Sequence, residues 1–339
     1  MKSFAWAIIG PGRIARHFAE AVHWLDHTHL ACIHGRDLAR AQAFAQEWTR
    51  DGLTPIRATT DIDEVLQSNE IDGVYIATPH PFHAQSIRAC LNAKKPVLCE
   101  KPLVTDATLA KQLVALSRQQ NTFLMEAVWT RFLPIVETVR DWIGAGSIGR
   151  VRAMQSSFCF NAPFDPQSRM FDPNLAGGTL LDIGIYNITM TRWVMQQAFG
   201  ATPTLHDLQT RAKIGATGVD HQLAATLHLS EGVTSQFISS FESSAENAFH
   251  IYGESGSITI HSNFWQATRA TLIRGSGAVE SVDRPLQING FEGEILEAMR
   301  CVREGRIESE TISHAESVAT LEWMDQIRAQ IGVRYPFDS

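Results

Sequence analysis

Cysteine is scarce in this sequence. Cys32, Cys90, Cys99, Cys159 and Cys301 are the five in 339 residues, widely spaced and without a C-x-x-C pair. That excludes a disulfide framework and a zinc ribbon, and reads as buried thiols in a reducing compartment. Long apolar runs are missing too, since none approaches the ~20 residues needed to cross a bilayer. Basic blocks are absent: 29 Lys and Arg stand against 36 Asp and Glu, giving a net charge of −7 and a pI near 6.0. Neither nucleic acid nor an anionic membrane is therefore an expected partner. No His, Asp and Glu cluster has metal-ligand spacing, so no metal is expected. The chain also lacks repeats, low-complexity tracts and the h-region and cleavage site of a signal peptide, and the expected location is the cytoplasm.

What is present is a soluble, globular composition, 44% hydrophobic and 19% charged, in a chain long enough for two domains. Phe4 to Ile9 is a short apolar run that reads as a buried strand. It breaks at Gly10-Pro-Gly12, and Ile14, Ala15, Phe18, Ala19 and Val22 follow with the spacing of one helical face. Strand, glycine turn and helix form the context of a G-x-G-x-x-G/A dinucleotide fingerprint. Gly10 permits the tight turn, Gly12 lets backbone approach a pyrophosphate, and Ala15 takes the small third position. Arg13 and Ile14 open the helix whose N–H groups face the phosphates. A tight turn without a ligand is the alternative.

Strands at 29–35, 56–59, 72–78, 96–100 and 122–127 alternate with helices at 37–48, 82–93 and 106–119. This rhythm predicts a doubly wound parallel sheet of the Rossmann type over residues 1–128. From 129 to 339 the pattern changes. Helices are expected at 131–143, 179–197, 291–304 and 314–331. A strand is expected at 150–160, and several more from 204 to 284, with hairpin signals at Ser230-Glu-Gly232 and Glu254-Ser-Gly256. Closely spaced strands must pair antiparallel. The fold class is thus α/β followed by α+β with a large, mainly antiparallel open sheet. Val233 to Phe241 and Thr268 to Ile273 offer apolar side chains for a partner, and a homodimer through that sheet is expected.

An NAD-binding unit places an acidic residue at the end of strand two to hold the ribose 2′-OH. Thr28 to Arg36 contains none, and the strand ends His34-Gly35-Arg36. NADP is favoured over NAD, with Arg36 gripping the 2′-phosphate and Arg40 one turn further in support. Asp37 reads as a helix N-cap, which keeps dual specificity open.

Ligands of open α/β sheets bind beyond the carboxyl ends of strands. The fourth strand ends Ala77-Thr78-Pro79-His80-Pro-Phe-His83 and the fifth Cys99-Glu100-Lys101-Pro102. With the glycine fingerprint and Gly177-Gly-Thr-Leu-Leu-Asp182-Ile-Gly-Ile-Tyr186, these motifs resemble the Gfo/Idh/MocA family. Within it, Met125 to Pro134 resembles the branch of dimeric dihydrodiol dehydrogenase and NADP-dependent D-xylose dehydrogenase. The resemblance implies Lys101 as catalytic lysine, Asp182 as the acid beside the reaction centre and Tyr186 as the proton-transfer group. It implies that Thr78, Pro79, His80, His83, Glu100 and Lys101 flank the cofactor, with Trp129 and Arg131 at the nicotinamide end. Trp129, with Phe158 and Phe160, would wall the substrate. Asp182 and Tyr186, four apart, share a face on a helix.

These residues together imply an NADP-dependent oxidoreductase that transfers hydride between nicotinamide C4 and a carbinol carbon of an aldose or trans-dihydrodiol. Two alternatives stay open: a non-catalytic NADP(H)-sensing regulator on the same fold, and an enzyme that uses bound NADP without releasing it.

Overall fold

The computed structural model describes residues 2–49 and 55–338. The chain divides into two units, residues 1–129 with 287–318 and residues 130–286 with 319–339.

In the first unit, β1 (Phe4–Ile9), β2 (Thr28–His34), β3 (Arg57–Thr59), β4 (Gly73–Ile76), β5 (Val97–Glu100) and β6 (Leu124–Ala127) form one sheet ordered β3-β2-β1-β4-β5-β6. Every pair is parallel. The order reverses between β1 and β4, the switch point at which doubly wound sheets bind ligands. Strands β1, β4, β5 and β6 are buried along their whole length, as strands covered on both faces must be. The crossovers are α1 (Arg13–Trp24), α2 (Leu38–Trp48), α3 (Asp63–Leu66), α4 (His83–Asn92) and α5 (Ala107–Gln120). Helix α1 is fixed by Phe18, whose ring stacks on Tyr75 of β4 with centroids 3.8 Å apart.

A division of the chain at residue 128 leaves out one feature of this unit. Residues 287–318, with helix α8 (Glu292–Arg303), pack here too. Phe291 lies between His17 and Trp129, 5.8 and 4.8 Å from their rings, and Asn289 Nδ2 donates to the His17 carbonyl at 2.9 Å. The last helix, α9 (His314–Ile331), begins in the first unit and ends in the second.

The second unit is built on eight strands. They are β7 (Val151–Cys159), β8 (Leu205–Ile214), β9 (Asp220–Leu229), β10 (Thr234–Ser240), β11 (Phe249–Gly253), β12 (Gly256–Ile260), β13 (Arg269–Arg274) and β14 (Val279–Asp283). Their order is β14-β13-β12-β11-β7-β10-β9-β8, antiparallel throughout except for β7 with β10. Both hairpin signals fall at sharp reversals, joining β9 to β10 and β11 to β12. Helix α6 (Pro134–Gly144) starts at a proline, whose fixed φ suits a first turn. Helix α7 (Ile185–Phe199) is buried from Ile185 to Met195. It is tied to the sheet by Asn187 Nδ2 donating to Ser156 Oγ, and by the Thr191–Ser235 hydroxyl pair, each at 2.8 Å.

The apolar stretches expected to face a partner point the other way. Val233, Phe237, Phe241, Ala270 and Leu272 are buried. Side chains alternate along a strand, so the same segments present Gln236, Ile238, Thr271 and Ile273 outward. The outward face is mostly neutral and polar, with Gln236 Nε2 bonded to Thr226 Oγ1 and Thr271 paired with Ser281. All five cysteines are buried and none is disulfide-bonded. Among the described residues no helix is long and apolar enough to cross a membrane.

Candidate active site

In the first unit β1 runs into a turn that only glycine fits. Gly10 has φ +95°, and a Cβ there would stand 2.8 Å from Thr78 N and 2.9 Å from the Ala77 carbonyl oxygen. The ends of β1 and β4 therefore leave no room for a side chain at this turn. Gly12 precedes α1, donates to the Gly10 carbonyl at 2.8 Å and offers no side chain to cap the helix. The first N–H groups of α1 thus meet no capping side chain from Gly12 and no acidic side chain in the first turn. Ala15 is fully buried against the sheet, while Arg13 and Ile14 face outward.

Thr78 adds a second sign of a ligand. Its Oγ1 is buried and has no hydrogen-bond partner among the described residues. A glycine cradle that a Cβ would fill, an uncapped helix start and an orphaned hydroxyl at the next strand end together fit a dinucleotide.

At the end of β2, a Cβ on Gly35 would lie 3.1 Å from the Pro11 ring, so the strand passes close under the turn. Arg36 is exposed and its guanidinium sits 5.7 Å from the centre of the Phe82 ring. Asp37 caps α2 by accepting from Arg40 N at 3.0 Å, and the Arg40 side chain is exposed.

His83 opens α4. It is fully buried, with Nε2 2.7 Å from the Thr78 carbonyl oxygen and Nδ1 2.9 Å from that of Pro102. Each ring nitrogen faces a backbone carbonyl, and the neutral ring donates to one of them, so it packs between the end of β4 and the lysine loop. Burial, chiefly, lowers its pKa. His80 is buried beside it, with ring centroids 5.8 Å apart, in the turn that Pro79 precedes.

Glu100 is buried, accepts from the Tyr75 hydroxyl and receives the Lys101 N–H at 3.3 Å. Glu294 of α8 is fully buried close enough to Glu100 that burial first, and that charge second, push its carboxyl well up. Lys101 is half-buried and precedes Pro102 through a cis peptide. Trp129 ends the first segment of this unit, packed on Phe291.

The second unit assembles Asp182, Tyr186 and Phe158. Gly178, at φ +113°, turns the chain, and Gly177 O accepts from the buried Tyr335 hydroxyl at 2.8 Å. Asp220 Oδ2 accepts from both Thr179 Oγ1 and Leu180 N at 2.7 Å, which satisfies an N–H at the start of the next helical segment. Burial raises this carboxyl to about 6, against those two hydrogen bonds. The helix expected from 179 is present, but its start is not regular α-helix. Leu180–Gly184 form a wider π-helical turn before α7 begins at Ile185. Such turns re-aim side chains and recur at functional sites.

Asp182 lies in that turn, 4% exposed, and accepts from Arg169 Nη1 at 2.9 Å. Tyr186 follows at the start of α7, 6% exposed, its ring 5.6 Å from Phe158. Phe158 stacks on Trp265 at 3.4 Å, and Thr130 holds the Trp265 carbonyl at 2.7 Å. Phe160 lies beyond the end of β7, 5.3 Å from Phe241. Arg131 is buried in this unit. Among the described residues no three His, Cys, Asp or Glu side chains are grouped to hold a metal.

Sequence reasoning missed Arg169, Asp220 and Trp265. None stands in a motif, although Asp220 opens β9 as the single acid of that strand.

A family model described as "Oxidoreductase family, NAD-binding Rossmann fold" matches residues 4–128, and the GFO/IDH/MocA C-terminal domain matches 136–259. The chain is 32% identical to trans-1,2-dihydrobenzene-1,2-diol dehydrogenase of Mus musculus, over 98% of each chain. It is 30% identical to D-xylose 1-dehydrogenase (NADP(+)) of Hypocrea jecorina, over 98% of this chain and 93% of the relative. A 3-ketoreductase from Actinomadura kijaniata, solved with NADP and TDP-benzene, superimposes with a TM-score of 0.84 at 25% identity. That match covers 97% of this chain and 98% of the other.

Proposed function

The chain belongs to the Gfo/Idh/MocA oxidoreductase family, and from that premise we propose that it is an NADP-dependent dehydrogenase of a carbinol carbon, C1 of an aldose or a carbon of a trans-dihydrodiol. Relatives named for D-xylose and for a dihydrobenzenediol support the substrate class. The observation that carries the assignment of roles is the buried π-helical turn that leads into α7. There Asp182 is ion-paired with Arg169, and the phenol of Tyr186 is the neighbouring group with a proton to exchange.

Gly10, Gly12, Arg13, Ile14 and Thr78 hold the dinucleotide. Arg36, with Arg40 behind it and no acid from Thr28 to Arg36, selects the 2′-phosphate. The bound nicotinamide supplies the hydride acceptor. The protein's share is proton transfer and placement. Tyr186 takes the hydroxyl proton, Lys101 offers an ammonium donor to the oxygen that loses it, and Asp182 orients substrate or phenol. Phe158 and Trp129 limit access to the reacting carbon. Residues up to 128 are then the cofactor domain, and most of the remainder serves substrate and assembly.

Incubation with NADP and a panel of aldoses and trans-dihydrodiols, followed by NADPH absorbance, tests this function. Substrate-dependent NADPH from at least one compound is expected. Saturable NADP(H) binding without turnover of any would favour the regulatory alternative.

We also propose a homodimer through the outward face of the eight-stranded sheet, which presents neutral side chains such as Gln155, Thr226, Gln236 and Thr271. Light scattering should give twice the 37.6 kDa chain mass. A monomer at micromolar concentration would remove it.

A further inference from the structure

The loop bearing Lys101 is held at three successive residues by three buried ionisable side chains. Glu100 Oε2 accepts from Lys101 N at 3.3 Å, His83 Nδ1 lies 2.9 Å from the Pro102 carbonyl oxygen, and Glu126 Oε1 of β6 accepts from Leu103 N at 2.9 Å. Their exposures are 7%, 0% and 3%. A buried loop must satisfy its backbone, but hydroxyls or other backbone groups do so without the cost of burying charge. Glu126 falls inside the Met125–Pro134 motif, which assigns it no role of its own.

We infer that Glu126 is a positioning residue for Lys101: its bond to the Leu103 N–H fixes the turn from which the ammonium acts. This rests on the role of Lys101 proposed above. Glu126 is itself fixed by a hydrogen bond to Ser317 of α9.

The brace is pH-sensitive. Burial, chiefly, pushes the Glu126 carboxyl up to about 7, against the Ser317 and Leu103 hydrogen bonds. Glu316 of α9 raises it further, Lys101 lowers it, and Cys99 of β5 also faces it. As an anion Glu126 accepts from both Leu103 and Ser317. Once protonated, one oxygen becomes a donor and the grip on the loop loosens. The loop is therefore held best above pH 7 and less well below it.

The full-length protein carrying Glu126→Gln tests this, beside wild type and Lys101→Met. Readouts are turnover of the best substrate in the panel, NADPH binding by fluorescence, and the pH titration of the Leu103 amide by NMR. At pH 8, Glu126→Gln should lower kcat about tenfold to a hundredfold, as small misplacements of catalytic groups do. NADPH affinity should stay within about twofold, since the glycine cradle is untouched. The wild-type Leu103 amide should titrate with a midpoint near 7 that the variant lacks. An amide titration unchanged by Glu126→Gln overturns the brace, whatever the turnover. So does a variant with wild-type kcat and pH profile while Lys101→Met is inactive, and the role of Lys101 then stands. A fully active Lys101→Met removes that role, and the inference with it.

Discussion

Arg169 Nη1 donates to Asp182 Oδ1 at 2.9 Å, joining a half-exposed loop side chain to a carboxylate that is 6% exposed. The loop arginine thus neutralises the acid beside Tyr186. Arg169→Met should leave that carboxylate without this charge-assisted partner. Because the arginine is 46% exposed, the loss is expected at the lower end of such bonds, about 1.5 kcal/mol, or roughly tenfold in kcat/KM. Steady-state kinetics with a little-changed melting temperature would support the pairing. Unchanged kcat/KM would show that Asp182 does not need it.

Gly10 and Gly12 should separate fold from cofactor. Gly10→Ala places a Cβ 2.8 Å from backbone at φ +95°, a strain of about 1–3 kcal/mol, so stability and NADPH binding should fall together. At Gly12 the nearest atom to an added Cβ is 3.9 Å away and φ is −93°. Gly12→Ala should therefore fold normally and still lose NADPH affinity, because the new methyl group lies where phosphate approaches α1. Thermal melts beside fluorescence titrations check both.

Arg36→Asp should shift cofactor choice toward NAD by about 2–4 kcal/mol, since a charge-assisted contact is replaced by repulsion. Catalytic efficiencies with the two cofactors measure this. A wild type that binds NAD as tightly as NADP would contradict the role of Arg36.

Asp220 should leave a signature in stability against pH. Its folded-state pKa is raised from 3.8 to about 6, so the folded protein holds this proton more tightly than the unfolded chain. Its contribution to stability is present below about pH 4 and is lost as pH rises to about 6, by an amount on the order of 3 kcal/mol. Asp220→Asn removes the titration. The wild-type minus variant difference in unfolding free energy should fall across that window and be flat above it. A constant difference would mean that the carboxyl is not perturbed.

The first unit is legible in the sequence because its central strands are short, mostly apolar runs, and Gly10, Asp37 and Asp106 mark turns and caps. Its recruitment of α8 is not, because the packing of Phe291 between His17 and Trp129 joins residues far apart in sequence. The motif around Asp182 and Tyr186 is visible, but its π-helical turn is not, since the side-chain spacing fits an ordinary helix equally well. In β10 and β13 alternation is readable, yet which face meets α7 depends on tertiary packing. The residues that hold the motifs in place, Asp220, Arg169 and Glu126, lie in loops or on strands, and their partners Thr179, Asp182 and Leu103 are distant in sequence.

Turnover of Tyr186→Phe tests the central claim most directly. The substitution removes one hydroxyl and keeps the ring against Phe158, so fold and NADPH affinity should survive. Turnover should fall by about 10²–10⁴, the usual contribution of general acid–base catalysis. Lys101→Met should cost a similar factor and the double variant little more, as for residues that act as one unit. A Tyr186→Phe protein that turns over within a few-fold of wild type would contradict the assignment and move proton transfer away from Tyr186.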